Sequence, residues 1–276
     1  MGVVLGALSS VLYGLADFLG GEGAKRVTAA TVVIWAGVVS FPLIAVVAFV
    51  VGGEASPNDL SLGAVGGVAG AVGLVTLFAG LGRGQAAAVA PAAAAFSGVF
   101  PVLVAVVSGD EIGGLTWLGV LIAIPAIVLC SWVADPGEVP LGGLWYGLAA
   151  GLGFGAYTVL LDLTGPTSEL LPLIPARAAT MLTVAVVALT GTWHISGFRT
   201  IPKRIVLGNG LLDVSGNVTL LLALRAGSLA PVAVAASFYP AVTVLMARVV
   251  NAEHLRMRQV VGIALTLCAL AVIALG

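Results

Sequence analysis

Charge is what this sequence has least of. Only 8% of its 276 residues are Asp, Glu, Lys or Arg, against about 25% in an ordinary soluble domain. A water-facing surface cannot be built from that composition. With a formal net charge of −1, the chain also offers no basic face to nucleic acid. Cysteine is nearly missing: Cys130 and Cys268 both fall inside apolar runs, lack metal-ligand spacing, and read as small hydrophobes. The two histidines, His194 and His254, lie in expected loops with no paired ligand, so no metal site is expected. There is no G-x-x-x-x-G-K-[ST], no HExxH helix, no Ser–Lys pair and no GxGD-type aspartate pair. ATP-driven chemistry and intramembrane hydrolysis are therefore not expected. Nor is an enzyme or a bound cofactor.

Apolar residues make up 60% of the chain, and the mean hydropathy is +1.18. The solvent must be largely lipid. Crossing a bilayer core of about 30 Å takes roughly 20 apolar residues, and ten such runs can be marked: 2–20, 28–51, 60–82, 86–108, 114–133, 141–163, 169–192, 204–224, 229–250 and 257–275. They are solid rather than alternating, which argues against a β-barrel. The first lacks the positive flank of a signal peptide and reads as a retained span. The expected fold is an all-α integral membrane protein of ten transmembrane helices, with neighbours antiparallel.

Nine of the 11 Lys and Arg residues fall in alternate loops: Lys25, Arg26, Arg83, Arg199, Lys203, Arg204, Arg248, Arg256 and Arg258. Arg225 alone lies in a loop on the other side. The positive-inside rule puts the nine in the cytoplasm and both termini outside the cell membrane.

The chain also repeats itself. VTLFAGLGRGQAAAVAP (75–91) aligns with VTLLLALRAGSLAPVAV (218–234), and Phe100-Pro101 with Tyr239-Pro240. Two five-helix halves result, 1–136 and 137–276, joined near ADPGEVP. Five is odd, so the second half must enter the membrane upside down. The loop charges swap between the halves, as inversion requires. Inverted repeats are a recurring plan of secondary transporters, with the substrate site near the midplane.

The run SFYPAVTVLMARVVNAEHLRMRQVVG (237–262), with Pro240, Thr243, Glu253, Gln259 and Gly262, has a weaker copy in FSGVFPVLVAVVSGDEIGGLTWLG (96–119). With LYG at 12–14 and Arg177 in IPARAATM, the chain resembles the ten-helix EamA-domain group of the drug/metabolite transporter superfamily over its whole length. It departs in the first half, where Trp35 stands at the arginine's mirror position and Ser108-Gly109-Asp110-Glu111 loosens the motif. The resemblance implies a secondary transporter or exporter of small metabolites, without naming one.

Polar residues inside the spans are the candidate site. Asn209, Asp213 and Asn217 recur at i, i+4 and i+8 and share one helix face, a poor surface for lipid and a good cavity lining. A helix rise of 1.5 Å puts Arg177 and Asp213 about 6 Å apart in height, within an arginine's reach. Two readings stay open. Arg177 and Asp213 are either a structural ion pair, or a site where Asp213 takes a proton or cationic group and Arg177 holds a carboxylate. Charged residues within spans favour the functional one. Asp17, with Tyr13 one turn earlier, and Asp162 lie near span ends, where reaching interfacial water is the plainer role; Asp17 is the stronger candidate of the two. Trp35 is expected to pack, with stacking on a ligand as the alternative. Pro101 and Pro240 are candidate paired hinges, or only shape a static cavity. GAVGGVAGAVG (63–73) reads as a close-packing helix face.

The expectation is secondary active transport of a small molecule, exporting it coupled to protons or down a gradient, by a monomer or homodimer whose other partner is the bilayer. A flippase for a lipid-linked headgroup is one alternative. A non-transport scaffold or sensor subunit, with the stripe binding a partner helix, is another.

Overall fold

A computed structural model of the chain describes residues 1–83, 86–110, 112–131, 141–191 and 194–250, and beyond these only isolated positions between 257 and 275. Among the described residues the regular structure is helical and no strand occurs. The helices are α1 (Gly2–Ala24), α2 (Ala29–Val51), α3 (Pro57–Gly82), α4 (Ala86–Val107), α5 (Gly114–Ser131), α6 (Leu141–Asp162), α7 (Leu173–Leu189), α8 (Lys203–Arg225), α9 (Leu229–Ala236) and α10 (Tyr239–Val250). Five of them, α1, α2, α3, α6 and α8, are long and apolar enough to cross a membrane. Val46, Phe49, Val65, Leu121, Leu182 and Leu207 are exposed on the outside, as lipid-facing residues should be. The chain is an all-helical, multi-pass membrane protein.

Local chemistry starts the helices. Thr28 caps α2 by accepting from the Thr31 N–H at 3.2 Å. Ser56 and Asp59 form a reciprocal capping box at α3, with Pro57 in its first turn. Three spans differ clearly from expectation. The first runs on past residue 20 to Ala24. The seventh shortens from 169–192 to Leu173–Leu189. The chain before it makes a short 3-10 turn at Pro166–Ser168 and takes Glu169 into the left-handed region at φ 45°, and Pro172 stands only at the N-cap. The ninth breaks in two. Pro240 has no N–H to give the carbonyl four residues back; α9 stops at Ala236 and α10 resumes at Tyr239. By contrast α4 runs unbroken through Pro101. Most of the tenth run, with Gln259, together with Glu253, His254 and the 134–140 junction, lies outside the described residues.

Most packing joins the two halves of the chain. α1 lies against α8, α9 and α10, α3 against α6 and α7, α2 against α7 and α8, and α4 against α6 and α9. Lipid gives little hydrophobic drive between helices, so close backbone approach matters most. The expected glycine face does this on α3. A Cβ on Gly63 would come within 2.3 Å of the Pro172 carbonyl oxygen, one on Gly67 within 2.0 Å of that of Ala176, and one on Gly73 within 2.6 Å of the Phe154 ring. Gly67 thereby sets α7, and Arg177 upon it, close against α3.

Candidate functional site

The inner faces of the helices form a cavity of about 80 Å³. Six of the side chains singled out from the sequence line it, while Asp162 and Trp35 do not. Tyr13 and Asp17 come from α1, Arg177 from α7, and Asn209, Asp213 and Asn217 from α8. The i, i+4, i+8 spacing does what helix geometry requires, turning all three α8 residues inward while Ser215 on the same helix is exposed.

Within the cavity Arg177, Asp213, Asn217 and Tyr157 form one connected set. The Arg177 guanidinium pairs with the Asp213 carboxylate, and both residues are buried. Asn217 Nδ2 donates back to the Asp213 carbonyl at 2.7 Å, and its Oδ1 accepts from the hydroxyl of Tyr157 on α6. At the other end of the stripe, Asn209 Nδ2 donates to the Ala16 carbonyl at 2.6 Å, tying α8 to α1 beside Asp17.

Asp17 departs from the interfacial role that its position near a span end suggested. It is 5% exposed, lines the cavity, and has no hydrogen-bond or ionic partner among the described residues. The Tyr13 hydroxyl, one helical turn earlier, is buried and likewise without a partner among the described residues. Span counting placed Asp17 at an end because it measures depth along one helix. The first helix instead runs on to Ala24, which puts Asp17 well inside it, and the glycines of α1 let neighbouring helices come close around it. A Cβ on Gly14, for example, would meet the Tyr239 carbonyl oxygen at 2.5 Å.

Several lining residues escaped the sequence reading: Phe78, Ser97, Phe154, Tyr157, Thr158 and Tyr239. Phe154 and Tyr239 meet edge to face at a centroid separation of 5.8 Å. A usable signal existed, since Phe154-Gly155 in α6 answers Tyr13-Gly14 in α1. Trp35 is not in the cavity. Its Nε1 donates to the Ser196 carbonyl at 2.9 Å and its ring stands against Phe198, so it anchors the loop between α7 and α8.

No family model matches this chain, and no curated protein matches it. Twenty-four chains among the solved structures do. One, described only as "Crystal structure of protein", superposes with a TM-score of 0.75 at 14% identity, over 99% of this chain and 96% of its own. The likeness is one of fold. It extends along the whole chain and carries no function with it.

Proposed function

We propose that the chain is a secondary active transporter, an exporter of small molecules across the cytoplasmic membrane by alternating access, in the EamA-domain group of the drug/metabolite transporter superfamily. The observation that carries this reading is the gathering of Tyr13, Asp17, Arg177, Asn209, Asp213 and Asn217 around one cavity. Charged groups within a membrane span cost about 2.5–3.5 kcal/mol each on insertion scales, and here they face a shared space rather than lipid. A scaffold whose polar stripe docks a partner helix would turn that stripe outward. The flippase alternative needs a cavity open sideways to lipid, and no observation favours it.

The helix packing supports the inverted repeat that alternating access uses. Exchanging each helix for the one five places on maps α1 against α8 onto α6 against α3. It likewise maps α3 against α7 onto α8 against α2, and α4 against α6 onto α1 against α9 and α10. Finer detail agrees. Gly14 abuts Tyr239, and its counterpart Gly155 abuts Phe100 and Pro101. The divisions 1–136 and 137–276 would then be interleaved halves rather than separate bodies. On this reading the cation-rich loops face the cytoplasm.

The test is flux. Purified protein is reconstituted in vesicles and a metabolite panel is screened with wild type and Asp213→Asn, with and without a pH gradient. Wild type should move at least one compound, and Asp213→Asn should lose gradient-driven flux while inserting normally. No flux of any compound by wild type, from vesicles that contain folded protein, would count against transport.

A further inference from the structure

We infer that the end of the bundle where α1 stops and α8 starts holds the phosphodiester headgroup of an anionic phospholipid. Packing gathers cations there. A Cβ on Gly23 would stand 3.2 Å from the Ile205 side chain and 3.4 Å from that of Ile201, so α1 ends against the first turn of α8. One on Gly82 would lie 2.7 Å from the Ala24 carbonyl oxygen, which brings Arg83 in beside them. The segment between α7 and α8 is fastened over the same end. The Thr28 hydroxyl donates to the His194 carbonyl, and the Ser196 N–H donates to Thr31 Oγ1 at 2.9 Å. Lys25, Arg26, Arg83, Arg199, Lys203 and Arg204 emerge exposed on this one surface.

Two of these six are already engaged. Lys25 pairs with Glu22, and Arg83 donates to the Ala79 carbonyl at 3.0 Å with its guanidinium over the Tyr146 ring. Arg26, Arg199, Lys203 and Arg204 have no acidic partner among the described residues. By sequence, this end carries nine cations against four acids, Glu22, Asp135, Glu138 and Glu253. Lys203 and Arg204 also stand in the first turn of α8, the positive end of its dipole, with no acid in that turn to offset them. Orientation in the membrane needs only a count of such charges on one side; it does not need them held together. An anion shared among the four relieves their mutual repulsion.

The surroundings select a lipid over a dissolved ion. Lys203 heads the row Lys203, Leu207 and Leu211 at four-residue spacing, and both leucines are exposed on the outside of the bundle. A headgroup on Lys203 can therefore lay its acyl chain down the same helix face. Phe198 is exposed beside Arg199, an apolar ring next to a cation, as suits a membrane interface. A guanidinium grips two phosphate oxygens at once, and each cation close to anionic lipid contributes roughly five-fold in binding.

The experiment needs no transported compound, so its outcome is separate from that of the flux assay. Full-length protein in a non-ionic detergent is equilibrated with equal amounts of phosphatidylglycerol and phosphatidylcholine of the same acyl chains. The lipids retained are counted by native mass spectrometry. Wild type should prefer phosphatidylglycerol by about ten-fold or more, and the preference should shrink as salt rises. Arg199→Gln with Lys203→Gln and Arg204→Gln should abolish it. Arg199→Lys with Arg204→Lys should retain most of it, and Arg83→Gln, whose guanidinium is already engaged, should leave it unchanged. Elution and thermal midpoint in phosphatidylcholine alone show whether the triple variant is folded; if it is not, Arg199→Gln alone should lower the preference about five-fold. The inference is overturned if wild type shows no preference, or if the folded triple variant keeps it, which would leave the cations to set orientation only. It is equally overturned if glycerol phosphate in solution displaces the lipid, which would make this a site for a dissolved anion.

Discussion

Arg177 of α7 and Asp213 of α8 close an ion pair in the middle of a bundle whose outside is Val, Leu and Phe. The pair is anchored rather than loose. Gly67 holds α7 in place beneath Arg177, and the Asn217 amide braces the Asp213 backbone.

Breaking the pair on one side should therefore be worse than deleting it. Asp213→Ala leaves a buried guanidinium uncompensated, a change that costs about 3–5 kcal/mol. The double variant Arg177→Met with Asp213→Leu removes both charges and should recover most of that loss. Thermal unfolding of the three proteins in one detergent gives the coupling directly. If the double variant is no more stable than Asp213→Ala, the two residues do not depend on each other.

Gly67→Ala should be among the most damaging small substitutions in the chain. The added carbon would sit 2.0 Å from the Ala176 carbonyl oxygen, a backbone atom that cannot rotate away. Overpacking of this kind costs about 1–3 kcal/mol or more, and it would push Arg177 off Asp213. Gly113→Ala is the control, since a Cβ there meets nothing within 4 Å. Yield and monodispersity on size exclusion should fall for the first variant and stay at wild-type level for the second.

How much of this was legible beforehand depended on whether a feature is local. The α8 stripe was, because three polar residues at four-residue spacing share a face in any helix, and an apolar chain cannot turn that face to lipid. The close packing of Gly63, Gly67 and Gly73 was legible for the same reason. The burial of Asp17 was not. Its environment is made by α1 running on to Ala24, past the expected end of its span, and meeting α10 far along the chain, with Thr243 donating to the Gly14 carbonyl at 3.0 Å. The aromatic wall was hidden as well, since a Tyr or Phe in an apolar run looks the same whether it faces lipid, a neighbour or a cavity. Trp35 carried the least warning. Its partner, the Ser196 carbonyl, lies in a loop with no pattern of its own.

Trp35→Phe should cost stability and leave ligand binding alone. The ring that packs on Phe198 is kept, while the N–H bond to Ser196 at 2.9 Å is lost, a change of about 1 kcal/mol. A lowered thermal midpoint with unchanged affinity for any ligand of the cavity is the expected result. A fall in affinity with no fall in midpoint would return Trp35 to the site.

Arg225 is the last residue whose role the structure makes testable. It ends α8 and reaches the segment that joins α6 to α7. Nη1 donates to the Thr164 carbonyl at 2.6 Å, and Nη2 donates to Thr164 Oγ1 at 2.6 Å and to Ser168 Oγ at 3.2 Å. From the other half of the chain, Asp59 Oδ1 accepts from the Gly165 N–H at 2.6 Å. The connection 163–171 is thus fastened from both sides, directly above Leu173, where the cavity lining begins on α7. A guanidinium serves three acceptors in one plane, which an ammonium cannot do. Arg225→Ala should speed amide exchange across 163–171 and leave α1 and α3 as they are. Arg225→Lys should give an intermediate rate, and Asp59→Asn a smaller acceleration centred on Gly165. Exchange measured by mass spectrometry reads each segment separately. If 163–171 exchanges no faster in Arg225→Ala than in wild type, the turn at Pro166–Ser168 holds itself, and the arginine only completes the end of α8 by placing a positive charge against its carbonyls.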